Sequence, residues 1–121
     1  FALAFAGRTN ERFDNVRMLG AIGLEPLAAE LRRSDVYLAP SVNDPCSNAL
    51  LEALASGLPA VFRASGGHPE LVGDAGIPFS RIEEVPEALD RLVAELDERR
   101  AAISVAPLAE VADRYLEVLR G

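Results

Sequence analysis

Two acids, Asp44 and Glu52, stand on either side of a turn that opens a helix, with seven residues between them. The turn reads Asn43-Asp44-Pro45-Cys46, Ser47 stands where a cap would, and an apolar helical run follows from Asn48. A helix start leaves backbone N–H groups without intrahelical partners and carries the positive end of the helix dipole. Both features suit a phosphate group. Ionised carboxylates only accept hydrogen bonds, so two of them flanking a phosphate site suit the hydroxyls of sugars. The segment Pro40–Pro59 therefore reads as a nucleotide-sugar site.

The elements that must position these residues follow from periodicity and turn chemistry. Phe1–Gly7 reads as a strand, and Val16–Leu19 as a second one closed by Gly20. Leu24, Leu27, Ala28 and Leu31 recur at helical spacing and predict a helix over about 24–33. Val36–Ala39 predicts a buried strand. Ser47 is placed to cap a helix that runs to Ser56, and Gly57 to end it. Pro59–Arg63 is the next strand, and Ser65-Gly66-Gly67 a turn before a short helix at Pro69–Val72. Ile77–Phe79 closes the strand series. Val85, Ala88, Leu89, Leu92, Val93 and Leu96 mark one long helix, and Leu108, Val111, Ala112, Tyr115 and Leu119 a final one. Strands alternating with helices predict an α/β fold, a Rossmann-like parallel sheet flanked by helices. Ligands of such sheets sit beyond the C-terminal ends of the strands. The loops at Gly20–Gly23, Pro40–Ser47 and Ala64–His68 all leave those ends.

Composition bounds the partners. A length of 121 residues fits one domain or part of one, and half of the residues are hydrophobic, enough for a sizeable core. The formal net charge of −7 argues against nucleic acid and against an anionic membrane surface. The acids concentrate in residues 83–121, on helices where they read as a solvated face. All cations are arginine, a compositional bias from which no function is drawn. The single Cys46 excludes an internal disulfide, which fits a reducing, cytoplasmic compartment. No apolar run has the length of a transmembrane helix. Phe1–Ala6 is short and lacks a basic start, so no signal peptide is expected from it. The chain opens without methionine inside a strand pattern, and truncation at its N-terminus is expected.

Three stretches in this order resemble a known family. They are Ser34-Asp35-Val36-Tyr37-Leu38-Ala39-Pro40-Ser41, then Asp44-x7-Glu52-Ala53-Leu54-Ala55-Ser56-Gly57-Leu58-Pro59, then Ser65-Gly66-Gly67-His68-Pro69-Glu70-Leu71-Val72-Gly73. Together they resemble the C-terminal, donor-binding domain of retaining glycosyltransferases of family 4, which have the GT-B architecture of two Rossmann-like domains facing a cleft. Asn15-Val16-Arg17-Met18-Leu19-Gly20 is similar to that family's strand bordering the nucleobase pocket. The resemblance implies one nucleotide-sugar-binding domain over 1–121, with C-terminal helices at about 83–121. It implies transfer of a sugar from a nucleoside-diphosphate sugar to an acceptor hydroxyl with retention. By position, Asp44 matches the acid that contacts the transferred sugar and is the one candidate catalytic residue. Cys46, Ser47, Asn48, Ala49 and Leu50 match the amides that meet the diphosphate, and Glu52 the acid on the ribose hydroxyls. Asn48 and Ala49 precede Glu52 by about one helical turn, so the three share a helix face. Gly20, Gly66 and Gly67 complete the expected substrate-binding set.

The chain departs from the family in four places. Asp44 stands where Glu is usual, and Pro45-Cys46-Ser47 where Gly-Phe-Gly is frequent; Asp is one methylene shorter, and Pro45 has no N–H to donate. The family's earlier strand and its loop bearing an arginine and a lysine on the diphosphate have no counterpart, since Phe1–Arg8 aligns with the strand after it. The acceptor-binding N-terminal domain has none either. The chain alone is therefore expected to be inactive or nearly so. No cofactor and no metal site are expected. A sheet lacking its first strand leaves self-association open, and peripheral membrane attachment of a parent enzyme stays open too.

Plainer readings compete at several positions. Asn-Asp-Pro is common turn chemistry, so Asp44 also reads as a turn residue. His68 opens a helix at the Gly66-Gly67 turn, with a sugar contact as its second reading. Arg63 ends a strand at the binding edge and reads equally as a phosphate ligand or a surface arginine. Gly66 and Gly67 permit a tight turn first and close ligand approach second. Two other functional classes remain open. One is a non-catalytic nucleotide-binding module. The other is a different GT-B-like enzyme, such as a sugar-nucleotide epimerase or a phosphorylase, although a phosphorylase would hold pyridoxal phosphate through a lysine that this sequence lacks.

Overall fold

The computed structural model describes residues 1–121. The strands are β1 (Leu3–Ala6), β2 (Val16–Gly20), β3 (Tyr37–Ala39), β4 (Ala60–Arg63) and β5 (Gly76–Phe79), and every pairing among them is parallel. The helices are α1 (Leu24–Arg32), α2 (Asn48–Ala55), α3 (His68–Val72), α4 (Val85–Ala94), α5 (Leu96–Ala101) and α6 (Leu108–Arg120). Short 3₁₀ turns at Gly73–Ala75 and Ile82–Glu84 lead into β5 and α4. The expected α/β class with parallel strands and flanking helices is what forms.

The sheet is not continuous. β1 pairs with β2, and β3, β4 and β5 pair in that order, but no ladder joins the two groups. A doubly wound sheet of order 3-2-1-4-5-6 places an earlier strand between its second and fourth. β1 and β3 have the neighbours that those two strands would have, and each leaves one edge unpaired. The two-stranded sheet is correspondingly bare. All of β1 is exposed, including Leu3 and Phe5.

The core lies on the two faces of the three-stranded sheet, and strand alternation sorts it. Ala39, Ala60 and Phe62 face one way and pack with Leu50 and Leu54 of α2 and Val72 of α3. Val61, Ile77 and Phe79 face the other way and pack on Val85, Ala88 and Leu92 of α4. Those three α4 residues recur at helical spacing, which is why one stripe of that helix is buried and the rest is not.

β3 departs from the fully buried strand that its composition predicts. Only Ala39 is buried, and Leu38 is 37% exposed. Leu38 lies on the α4 face, but α4 covers β4 and β5 and leaves the edge strand open. The long helix expected through Leu96 also breaks. Glu95, at φ −108° and ψ 21°, ends α4, and α5 begins after it. The break turns Arg99 back toward the sheet, where Nη1 donates to the carbonyls of Asp74 (3.0 Å) and Gly76 (3.2 Å). The hydrogen bonds from Arg99, and after them those from Arg91, hold the Glu95 carboxyl below the usual carboxylate range. Along α6, Leu108, Tyr115, Leu116, Val118 and Leu119 are exposed. No helix is long and apolar enough to cross a membrane.

Candidate active site

Two loops meet beyond the C-terminal ends of β3 and β4. The first runs from Pro40 to Ser47 and opens α2; the second runs from Ala64 to Gly67 and opens α3. Four hydrogen bonds join the first loop to the second and to the first residue of α3, and in one of them Ser65 Oγ donates to Asn43 Oδ1 at 3.4 Å. Gly67 donates its backbone N–H to the Asp44 carbonyl at 2.9 Å. Asn43 donates its own to Ser65 Oγ at 2.9 Å. Ser41 Oγ lies 3.2 Å from His68 Nε2. Asn43 sits in the left-handed region at φ 56°, which asparagine tolerates better than most residues.

This packing accounts for the glycine pair more directly than ligand approach does. A side chain at Gly66 would overlap the backbone of Asp44, and one at Gly67 the carbonyl oxygen of Pro45. Gly66 also has φ +57°, the tight turn expected of it. Gly67 has φ −86°, open to any residue, so only the close approach requires glycine there.

Asp44 is half-buried. Its Oδ1 accepts the backbone N–H of Cys46 at 3.1 Å, so the turn role is real and occupies one carboxylate oxygen. Ser47 caps α2 as expected: at φ −73° and ψ 111° its Oγ accepts the N–H of Leu50 at 3.2 Å. Two of the five candidate amides, those of Cys46 and Leu50, are thus engaged within the loop. The N–H groups of Ser47, Asn48 and Ala49 have no acceptor. Asn48 and Ala49 are exposed, and so is Glu52 one turn along, while Leu50, Ala53 and Leu54 on the other side of α2 are buried. The helix therefore presents two free amides and a carboxylate on its solvent side. Cys46 is exposed, with its thiol free.

Tyr37 of β3 was not singled out by sequence reasoning. Burial first, and the nearby Glu52 carboxylate second, push its phenol above its ordinary value. Its period-2 placement beside Ala39, on the face under α2, was the available signal. Ser41 was passed over as well, although it lies only two residues past the end of β3.

Three further candidates lie away from the α2 amides. His68 opens α3 as expected, and its side chain has no exposed surface, bonded instead to Ser41 and to the Arg63 carbonyl. Arg63 shares by alternation the face of Val61, packed on α4, rather than the face of Ala60 and Phe62 under α2. Gly20, at φ +69°, lies in the two-stranded sheet, where its carbonyl accepts the N–H of Gly7 at 2.9 Å, and no strand pairing ties that sheet to the other candidates. No group of three or more His, Cys, Asp or Glu side chains gathers in the fold.

No curated protein sequence matches the chain. A family model described as "Glycosyl transferases group 1" matches residues 3–95, from the first residue of β1 to the residue after α4. With that match over most of its length, including both loops of the site, the chain belongs to the group 1 glycosyl transferases.

Proposed function

We infer that the chain is the donor-binding part of a glycosyltransferase that moves a sugar from a nucleoside-diphosphate sugar to an acceptor hydroxyl, with retention at the anomeric carbon. The observation that carries this reading is the start of α2. Unpartnered amides of Ser47, Asn48 and Ala49 lie between the carboxyl of Asp44 and that of Glu52. The amides and the helix dipole would hold the diphosphate and stabilise the charge that grows on it as the glycosidic bond breaks. Glu52 would accept from the ribose hydroxyls. The Asp44 oxygen not used by Cys46 would accept from the transferred sugar. The leaving diphosphate would help to take the acceptor's proton, so the protein's part is positioning and charge stabilisation. The acceptor-binding half and a basic loop on the diphosphate are not among these 121 residues, and this part alone is expected to turn over little or no donor.

Calorimetric titration of the chain with UDP, GDP and ADP, beside Glu52→Gln, tests the reading. Saturable binding of one nucleotide, weakened about tenfold by the substitution, supports it, since a hydrogen bond to a charged acceptor contributes about 1.5–3 kcal/mol. Absence of binding at millimolar nucleotide overturns it for this chain.

A further inference from the structure

His68 is the only histidine in the chain, fully buried, and unused by the reading above. Its two ring nitrogens have different partners. Nδ1 lies 3.1 Å from the backbone carbonyl of Arg63, and Nε2 lies 3.2 Å from Ser41 Oγ. A carbonyl can only accept, so Nδ1 carries the proton. In that neutral tautomer Nε2 has a lone pair and accepts. Ser41 must then donate its hydroxyl proton to Nε2. Ser41 is exposed, two residues past the end of β3 and three before Asp44. With its one proton committed inward, its two lone pairs are what remains for a ligand.

We propose that His68 is a positioning residue that fixes Ser41 as an acceptor-only group, and that Ser41 thereby takes a hydroxyl of the donor's sugar and not an oxygen of its diphosphate. The site then divides by polarity. The α2 amides are donors and face phosphate; Ser41, Asp44 and Glu52 are acceptors and face hydroxyls. A serine free to rotate would donate to phosphate as readily as it accepts from a sugar, whereas one held by Nε2–Ser41 bonding repels anionic oxygens. The sugar half of this inference rests on the donor-site reading; the hydrogen-bond polarity does not.

A single histidine makes the test clean. Long-range ¹H–¹⁵N correlation on the full chain at neutral pH reads its tautomer without assignment. The expected form has the proton on Nδ1, and Ser41→Ala moves the Nε2 resonance while leaving the tautomer. A proton on Nε2, or an Nε2 signal indifferent to Ser41→Ala, overturns the positioning role. UDP-glucose and GDP-mannose are then compared with UDP and GDP in the same spectra and by calorimetry. A nucleotide sugar that binds moves the Nε2 resonance, and its bare nucleotide does not. Ser41→Ala weakens the nucleotide sugar about tenfold, leaves the nucleotide unchanged, and Ser41→Thr restores the difference. Equal effects on both ligands overturn the sugar assignment. If no nucleotide binds at all, the donor-site reading and the sugar assignment fall together, and the tautomer result still decides the role of His68.

Discussion

The backbone N–H of Gly67 donates to the carbonyl of Asp44 at 2.9 Å, so the loop that opens α3 is fastened to the loop that opens α2. The acid assigned to the sugar is thus held through its main chain by a residue 23 positions later. The sequence shows the glycine pair, but that it packs against Asp44 and Pro45 is visible only in three dimensions.

Gly67→Ala tests how much this contact matters. The new methyl group meets the Pro45 carbonyl oxygen, and backbone gives way less easily than a flexible side chain. Overpacking of this kind costs about 1–3 kcal/mol. Gly23→Ala is the matched control, since its φ is −72° and the nearest atom to its added carbon is a Pro26 side-chain atom at 3.9 Å. Both glycines are helix N-caps, so each substitution loses the same cap preference, and urea denaturation should show a midpoint lowered clearly further for Gly67→Ala than for Gly23→Ala. Equal midpoints for the two variants would mean that the loops slide past one another freely.

Ser47 separates stability from anion binding. Ser47→Ala removes the acceptor of the Leu50 N–H and should cost about 1 kcal/mol of unfolding free energy. Ser47→Asp keeps a good cap and should recover most of that loss in the same denaturation experiment. The aspartate also places a negative charge at the helix start, so nucleoside-diphosphate binding should fall below that of Ser47→Ala. Stability restored with binding lost is the expected pair. Binding by Ser47→Asp equal to the parent would remove the helix start from the phosphate site.

Much of this was legible from pattern. The strand–turn–helix around Asp44 and the cap at Ser47 follow from local chemistry, and so do the buried stripes of α2 and α4. Local reasoning failed where a residue's fate depends on which neighbour covers it. Leu38 is apolar and lies in a strand, yet α4 stops short of it. His68 opens α3 as its turn-and-helix signature indicates, but that its ring is buried against Ser41 depends on a loop 27 residues earlier. The break at Glu95 has no glycine or proline to announce it; Arg99 reaching the carbonyls of Asp74 and Gly76 is a tertiary contact, invisible to periodicity.

Tyr37 gives a pH dependence at the alkaline end. Its folded pKa is raised, by burial first and by Glu52 second, above an ordinary value of about 10. Below that ordinary value both folded and unfolded chains keep the proton, and the contribution to stability is complete. As pH rises past it, the unfolded chain releases its proton first, so stability falls until the folded phenol ionises as well. The thermal midpoint should therefore drop above about pH 10, and Tyr37→Phe should flatten that drop. Glu52→Gln should lessen it only in part, because burial is the larger cause. The absence of lysine keeps this pH range simple, since arginine stays charged through it. In a Tyr115→Phe background the ultraviolet phenolate signal reports Tyr37 alone, and titration there at or below the ordinary value would contradict the burial seen at β3.

Arg63 provides the sharpest contrast between position in sequence and position in space. It ends a strand at the ligand-binding edge, and its guanidinium has no ion pair or hydrogen bond in the fold, both of which invite a phosphate contact. Strand alternation argues otherwise. Val61, two residues earlier, packs on α4, while Ala60 and Phe62 pack under α2, so Arg63 leaves the sheet on the face away from the α2 amides. Arg63→Gln keeps the backbone carbonyl that His68 needs and removes only the charge. UDP affinity of that variant should stay within about twofold of the parent, whereas loss of a direct charge-assisted contact would weaken binding by about tenfold or more. Calorimetry at low ionic strength, where any long-range attraction is largest, is the stringent version of the test. A tenfold loss would place the guanidinium on the diphosphate and require the side chain to fold back across the end of β4.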